Sequence, residues 1–331
     1  MKVAAQILKN CLKKLSVLQS DLYVLDGEKI YATAPNLILA VDFKSDLGVC
    51  GVAAQKFGQI VARLDGEIDL TINESKLTIK AKRSKLTLPL VAEPRIPKYT
   101  LPTTNIPLSY PEIHGALMYA LQATESGQFF SYTGTVQLSK NYAAGSDGKR
   151  LACSDVNGPA NTLLLPVPAV QALKALEGKT LKVSEDEQNL YFQSEDATLV
   201  SRKLAKSFPD FAKLLPKELN YKYKFDREEL NNALRGLAPL ADDKILLTFE
   251  NGVAILSVDS NLGSGTTNLA AEQIVPDPLF EDVKFSGNFT FSHIQDFVES
   301  VNGEITFGAN GEKGPVLLES GNKKLIMAAQ R

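Results

Sequence analysis

One pattern of segments occurs three times along the 331 residues. It constrains the architecture more than any single motif, because a tandem repeat builds one supersecondary unit again and again. Around Phe57 the chain reads AAQKFGQIVARLDGEIDLTINESKLTIK. Phe57, Ile60, Val61 and Leu64 fall on one helical face; Ile68, Leu70 and Ile72 then alternate, and after a turn so do Leu77 and Ile79. The same order, helix then hairpin, returns in PVPAVQALKALEGKTLKVSEDEQNLYFQS, where Leu173, Leu181 and Leu190 stand 113 positions after Ile60, Ile68 and Leu77. It returns again in FSHIQDFVESVNGEITFGANGEKGPVLLES, where Phe297 and Ile305 stand a further 124 positions on. There the last strand, around Val316, is displaced by two extra loop residues.

Each unit also opens with an earlier amphipathic helix. These helices are expected near residues 5–18 (Leu8, Cys11, Leu12, Leu15 inward), 110–124 (Ile113, Leu117, Leu121) and 226–238 (Leu230, Ala233, Leu234, Leu237). Strand-like runs follow each: YVLDGEKIYATA and LILAVDF; QFFSYTG and TVQLSKNYAAGSDGKRLACSD; KILLTFEN and GVAILSVDS. The reading is an α+β protein of three repeats, each with two helices covering an antiparallel sheet. Proline-bearing links at Pro97 to Pro107 and Leu215 to Tyr221 place the domains at 1–100, 101–217 and 218–331.

Composition adds exclusions. Hydrophobic residues at 44% and charged residues at 22% are globular values, and no apolar run reaches the roughly 20 residues of a membrane span. MKVAAQILKNCLKKL has no apolar core followed by a cleavage site, so it reads as the start of a domain rather than a secretory signal. Cys11, Cys50 and Cys153 are odd in number and lack CxxC spacing, against a disulfide framework or a zinc site and for a cytoplasmic setting. A net charge of −2 hides 36 basic and 38 acidic side chains, so any contact with nucleic acid must come from a local basic face.

The repeats carry segments that resemble a known family, the bacterial type of DNA polymerase sliding clamp. GSDGKRLACSD (145–155), DATLVSRKLAKSFPDFAKLLPK (196–217) and GPVLLESGNKKLIMAAQR (314–331) resemble the family pattern in the second and third domains, and QKFGQIVARL and KRSKLTLPL do so in the first. The resemblance implies the DNA clamp fold in three copies per chain, with two chains closing a six-domain ring head to tail. It implies double-stranded DNA, encircled without sequence specificity, as a partner, together with DNA polymerase, a clamp loader and a second copy of the chain. It implies no cofactor, no metal and no catalytic residue. The chain is short for the family, most of all in its first domain, which leaves a phage or plasmid clamp open beside a chromosomal one.

A ring that slides needs positive charge without base readout. With Leu8, Leu12 and Leu15 inward, the helical step puts Lys9, Lys13 and Lys14 on the opposite face. Lys56, Arg63, Lys174, Arg227 and Arg235 are further DNA-binding candidates, while Glu228, Glu229, Asp296 and Glu299 dilute the third domain. Outside the repeat context these would read as ordinary solvated side chains.

Carried over from the family, a partner-peptide groove takes Tyr132, where a leucine is usual, with Ser146, Gly148, Lys149, Arg150 and Leu151 of SDGKRL. Pro209, Lys213 and Leu214 come from FPDFAKLL, and Leu325, Met327, Ala328 and Ala329 from the last strand. The family commonly ends in Met-Pro-Met, so Ala328 and Ala329 imply a shallower wall and an altered peptide preference. Read alone, SDGK is a turn signal and Arg150 with Asp155 an ordinary surface pair. By the same resemblance Leu86 and Leu88 of the edge strand KRSKLTL meet Pro239 and Leu240 of a second copy.

An enzyme is disfavoured: only His114 and His293 offer an imidazole base, GSGTTN lacks the lysine of a phosphate loop, and Asp242 with Asp243 sits in a turn. The readings kept beside the clamp are a tandem-domain peptide adaptor without DNA and, behind it, a metal-dependent nuclease. One stretch, NLYFQS at 189–194, nearly spells a protease-recognition tag. It occupies the position of KLTIKA in the first repeat, and the expectation is a native strand with Leu190 and Phe192 in the core.

Overall fold

The computed structural model describes residues 1–331 except 126–130, 205–207, 211–212, 214, 216–218, 220, 251, 275–284, 311–313 and 331. Among the described residues the helices are α1 (Ala5–Leu15), α2 (Ala54–Ala62), α3 (Tyr110–Leu121), α4 (Val167–Ala172), α5 (Arg227–Leu237) and α6 (Phe291–Ser300). In α1 the residues Leu8, Cys11, Leu12 and Leu15 are buried, as the periodicity requires, and Lys13 and Lys14 in its last turn complement the helix dipole. The helix is shorter than its apolar pattern, since Ser16–Leu18 tightens into a 3-10 turn. α5 starts on a cap: the Asp226 carboxylate accepts from the Glu229 amide.

The chain forms two compact units, Met1–His114 with Leu165–Ala205, and Gly115–Leu164 with Lys206–Arg331. In the first, twelve strands run from Lys2–Ala4 at one edge to Ile106–Ser109 at the other. Leu37–Asp42 pairs antiparallel with Ala197–Arg202, Leu39 opposite Leu199, so the first and second repeats contribute to one sheet. Leu8, Leu15 and Phe57 of the helices are fully enclosed, as are Leu70 and Leu77 of its strands.

In the second unit Arg150–Asp155 pairs with Lys323–Met327 in a nine-stranded sheet, Ala152 opposite Leu325. A separate four-stranded sheet orders Gly263–Ala270, Val253–Ser260, Lys244–Glu250 and Phe285–Thr290. Its core is aromatic: Phe249 stacks on Tyr223 at 4.4 Å between ring centroids and meets Phe307 at 4.6 Å.

Two expectations resolve here. YTG is no strand: Tyr132–Gly134 is one 3-10 turn, capped by Ser131, whose side chain accepts from the Thr133 amide. The preceding QFF lies outside the described residues. NLYFQS is a strand of the fold: Asn189–Gln193 pairs with Thr180–Glu185 on one side and Ala197–Arg202 on the other. Leu190 and Phe192 are buried, and so is Tyr191 on the opposite face, its hydroxyl donating to Asp186.

Candidate DNA-facing surface and docking groove

The inward turn of Leu8, Leu12 and Leu15 leaves the three lysines of α1 outward, but not equivalent. Lys9 Nζ lies 2.9 Å from Asp65 and Lys14 Nζ 2.5 Å from Asp196. Lys13 is exposed, with no ion pair among the described residues. The hydrogen bond from Lys9 holds the Asp65 carboxyl below its usual range. Between α1 and α2 runs a groove of 920 Å3 where Lys9, Lys13 and Lys56 stand among the amides of Gln6, Asn10 and Gln59. Arg63, after α2, and Lys174 are exposed. In the second unit Arg235 is exposed in the last turn of α5, whereas Arg227 is tied down, donating to the Val298 carbonyl and pairing with Glu228. A lysine already paired with a carboxylate gains less from a phosphate, so Lys13, Lys56, Arg63, Lys174 and Arg235 are the cations of the set without an ion pair among the described residues.

Some of the residues expected to line a groove lie on one face of the nine-stranded sheet. Leu151 and Ile326 are direct cross-strand neighbours, and with Ala144, Cys153, Leu317 and Phe208 they form an apolar cluster against which Tyr132 packs. Tyr132 and Phe208 meet edge to face at 6.2 Å. Burial pushes the Cys153 thiol up to about 12. Above this floor the SDGK turn is closed by its own side chains. Ser146 Oγ accepts from the Gly148 amide, and Asp147 Oδ1 accepts from the amides of Lys149 and Arg150. Gly148 has φ of +86°, the left-handed region that a side chain disfavours.

Arg150 does not pair with Asp155, as a surface reading suggests. Its guanidinium donates to Asp147, to Asp296 at the second turn of α6 and to the Gln122 carbonyl, while Asp155 pairs with Lys324. Leu325 and Met327 alternate away from Ile326 and belong to the large aromatic core, so of these three it is Ile326 that shares the face of Leu151. Ala328 is exposed and its amide donates to the Lys149 carbonyl; Ala329 is half-buried. Pro209 and Lys213 are exposed, Lys213 pairing with Asp210, and Leu214 lies outside the described residues. Ile326, Leu317 and Phe208 were not singled out from sequence. Strict alternation around Leu325 and Met327 was the available signal, since it sets Ile326 on the face of Leu151.

Leu86 is half-buried and Leu88 buried in Ser84–Val91. That strand pairs along its length with Lys76–Ala81 but meets Cys50–Ala53 only at Leu90 and Val91, leaving Ser84 to Pro89 with a free edge among the described residues. Pro239 is exposed and Leu240 half-buried on the 3-10 turn Ala238–Leu240. His114 stacks on Tyr110 at 5.1 Å. His293 sits 4.0 Å from Asp147. Burial and the Arg150 guanidinium hold its imidazole below the ordinary value, against the opposing pull of Asp147, Asp243 and Asp296. Asp243 caps α6, accepting from the Ser292 amide and hydroxyl. No group of three His, Cys, Asp or Glu among the described residues is placed to hold a metal ion.

No protein-family model matches the chain. Individual relatives do. The beta sliding clamp of Synechococcus elongatus is 26% identical over 298 residues, 82% of this chain and 77% of the relative. That of Pseudomonas putida is 25% identical over 264 residues, 70% and 69% of the two chains. Among solved structures, the DNA polymerase III subunit beta from Pseudomonas aeruginosa superposes with a TM-score of 0.88 at 17% identity, over 100% of this chain and 99% of that one. The pol III beta of Caulobacter crescentus gives 0.88 at 18%, with the same coverage. In sequence the chain is similar to bacterial beta sliding clamps, and it shares the fold of the solved ones.

Proposed function

We propose that the chain is a DNA sliding clamp, a processivity factor without catalytic activity of its own. Two copies close head to tail around duplex DNA and tether DNA polymerase and other replication proteins through the groove at Leu151 and Ile326. The observation that carries this reading is the helix-and-sheet unit built three times, with α1 presenting lysines on its outward face, in a chain similar to beta sliding clamps along most of its length. We divide it into clamp domains at 1–100, 101–217 and 218–331. The free edge at Ser84 to Pro89 offers unpaired backbone groups to a partner strand, which supports a second copy as the ring-closing neighbour, with Leu86 and Leu88 opposite Pro239 and Leu240. A clamp loader in the bacterial cytoplasm would open that joint.

The groove suits a short peptide with an apolar anchor, because its floor is aliphatic and aromatic while the Gly148 turn supplies polar backbone at the rim. The test is sedimentation of the chain followed by retention on nicked circular and linearised DNA after treatment with a clamp loader and ATP. A dimer held on circles and lost from ends is expected. A monomer that binds peptides but is never held on circles would instead be the tandem-domain adaptor, a reading that the ion-paired Lys9 and Lys14 favour.

A further inference from the structure

The groove at Leu151 has a counterpart built in the same register one repeat earlier. In the second unit one row crosses four strands: Ser146 opposite Leu151, Leu151 opposite Ile326, Ile326 opposite Leu317. In the first unit an equivalent row runs Thr33 opposite Ile38, Ile38 opposite Val200, Val200 opposite Tyr191. Cys153, which joins the groove cluster across from Ala144, has its match in Ala40, across from Tyr31. A linker covers each row with an apolar residue followed by proline. Phe208-Pro209 crosses one, and Ile96-Pro97 the other, where Ile96 and Tyr99 pack on Val24, Tyr31 and Ala40. Tyr99 also approaches the Tyr191 ring at 6.4 Å.

Around this second linker two clefts open, of 460 and 710 Å3, and Pro97 lines both. The smaller has Ile38, Ile96 and Val200 as an apolar floor with Arg95, Arg202 and Asn189 at its rim. The larger is flanked by Lys98 and by Lys29, which Asp42 neutralises. No carboxylate lines either cleft. Arg95, Lys98 and Arg202 are exposed and make no ion pair among the described residues. At the other groove Arg150 is paired with Asp296 and Lys213 with Asp210, which leaves Lys149 as the one cation of that set without an ion pair among the described residues.

We propose that the cleft beneath Arg95 to Leu101 is a second peptide-docking groove, selective for an acidic peptide with an aliphatic or aromatic anchor. The anchor enters between Ile38 and Ile96 and the acidic flanks meet Arg95, Lys98 and Arg202, a volume and polarity suited to an extended segment. The inference rests on the docking reading of the Leu151 groove, from which the register equivalence borrows its meaning. It gives one chain two docking sites of different charge preference.

The test uses the full chain and a fluorescent, photo-crosslinking peptide of Asp and Glu around one Leu-Phe pair, with an Asn/Gln version as control. Anisotropy gives stoichiometry, and peptide mapping locates the crosslinks. Crosslinks on Ile96 to Leu101 are expected. The exposed-site variant Arg95→Glu/Lys98→Glu abolishes them and weakens that site about tenfold, with any crosslinks on 146–151 unchanged. The Asn/Gln peptide is expected to miss the linker site. Crosslinks on 146–151 alone overturn the second groove and leave the first standing; crosslinks on the linker alone support the second and fit the different charge preference of the first. Absence of crosslinks on the linker overturns the second groove whatever is found at 146–151. Self-association beyond the dimer that Arg95→Glu/Lys98→Glu abolishes would make the occupant a second copy and overturn the acidic peptide.

Discussion

Arg150 Nη1 stands 2.8 Å from Asp296 Oδ2, a contact spanning 146 positions of sequence that ties the SDGK turn to α6. The same guanidinium reaches Asp147 and the Gln122 carbonyl, so one side chain, 13% exposed, satisfies acceptors from three segments. Arg150→Ala strands those acceptors and is expected to lower stability by about 1–3 kcal/mol. Arg150→Lys, lacking the planar fork, should recover only part of it. Urea denaturation of the two variants checks this; equal stability of Arg150→Ala and wild type would sink it.

The pH dependence near that contact has a definite sign. The His293 imidazole is held below its ordinary value, so on acidification the unfolded chain takes up this proton first. Its contribution is intact above the unfolded value of about 6.5 and is lost as the pH falls from there through the lower folded value. His114, also lowered by burial, acts in the same direction. Thermal melts at pH 7.5 and 5.5 should show a smaller drop for His293→Gln than for wild type, and parallel drops would contradict this account.

Lys9 and Lys14 are committed to Asp65 and Asp196, while Lys13 has no ion pair among the described residues. Lys13→Ala with Lys56→Ala is therefore expected to reduce the salt slope of DNA binding by about 2, near one for each phosphate no longer neutralised. Lys9→Ala with Lys14→Ala should reduce it less. Binding isotherms across a salt series compare the pairs, and the reverse order would show that the ion pairs open on DNA.

Stability and docking separate on the last strand. Met327 lies in the aromatic core, so Met327→Ala should cost about 2–5 kcal/mol while leaving the peptide affinity of the folded protein nearly unchanged. Tyr132→Ala, at the half-buried groove wall, should do the opposite. Paired melts and peptide titrations decide this, and a Met327→Ala variant that loses affinity at full stability would place that side chain in the groove.

At the free edge only one of the two leucines permits a clean test. Leu88 is buried in its own sheet, so a charge there would unfold the domain, whereas Leu86 is half-buried. Leu86→Glu should yield monomers in sedimentation with an unchanged melt. Dimers that persist would remove this strand from the interface.

The repeats made the fold legible. Helix faces and strand alternation are local consequences of periodicity, so α1, the Asn189–Gln193 strand and the burial of Leu190 and Phe192 could be read from spacing alone. The sites were only half legible, because partner choice is a tertiary matter. Nothing near Lys9 announces Asp65, and nothing near Arg150 announces Asp296. Conversely, Ile326 was readable: alternation that sends Met327 to the core must send its neighbour to the other face. The YTG end of that expected strand is a turn because Ser131 caps it, a side-chain competition that β-propensity does not capture.

All three cysteines are enclosed, and burial lifts the thiols of Cys11 and Cys50 to about 11 and that of Cys153 to about 12. At neutral pH almost none of the reactive thiolate is present. The native chain is thereby a blank background for thiol chemistry, and a single cysteine introduced on the surface would be the only position to take a dye, spin label or crosslinker.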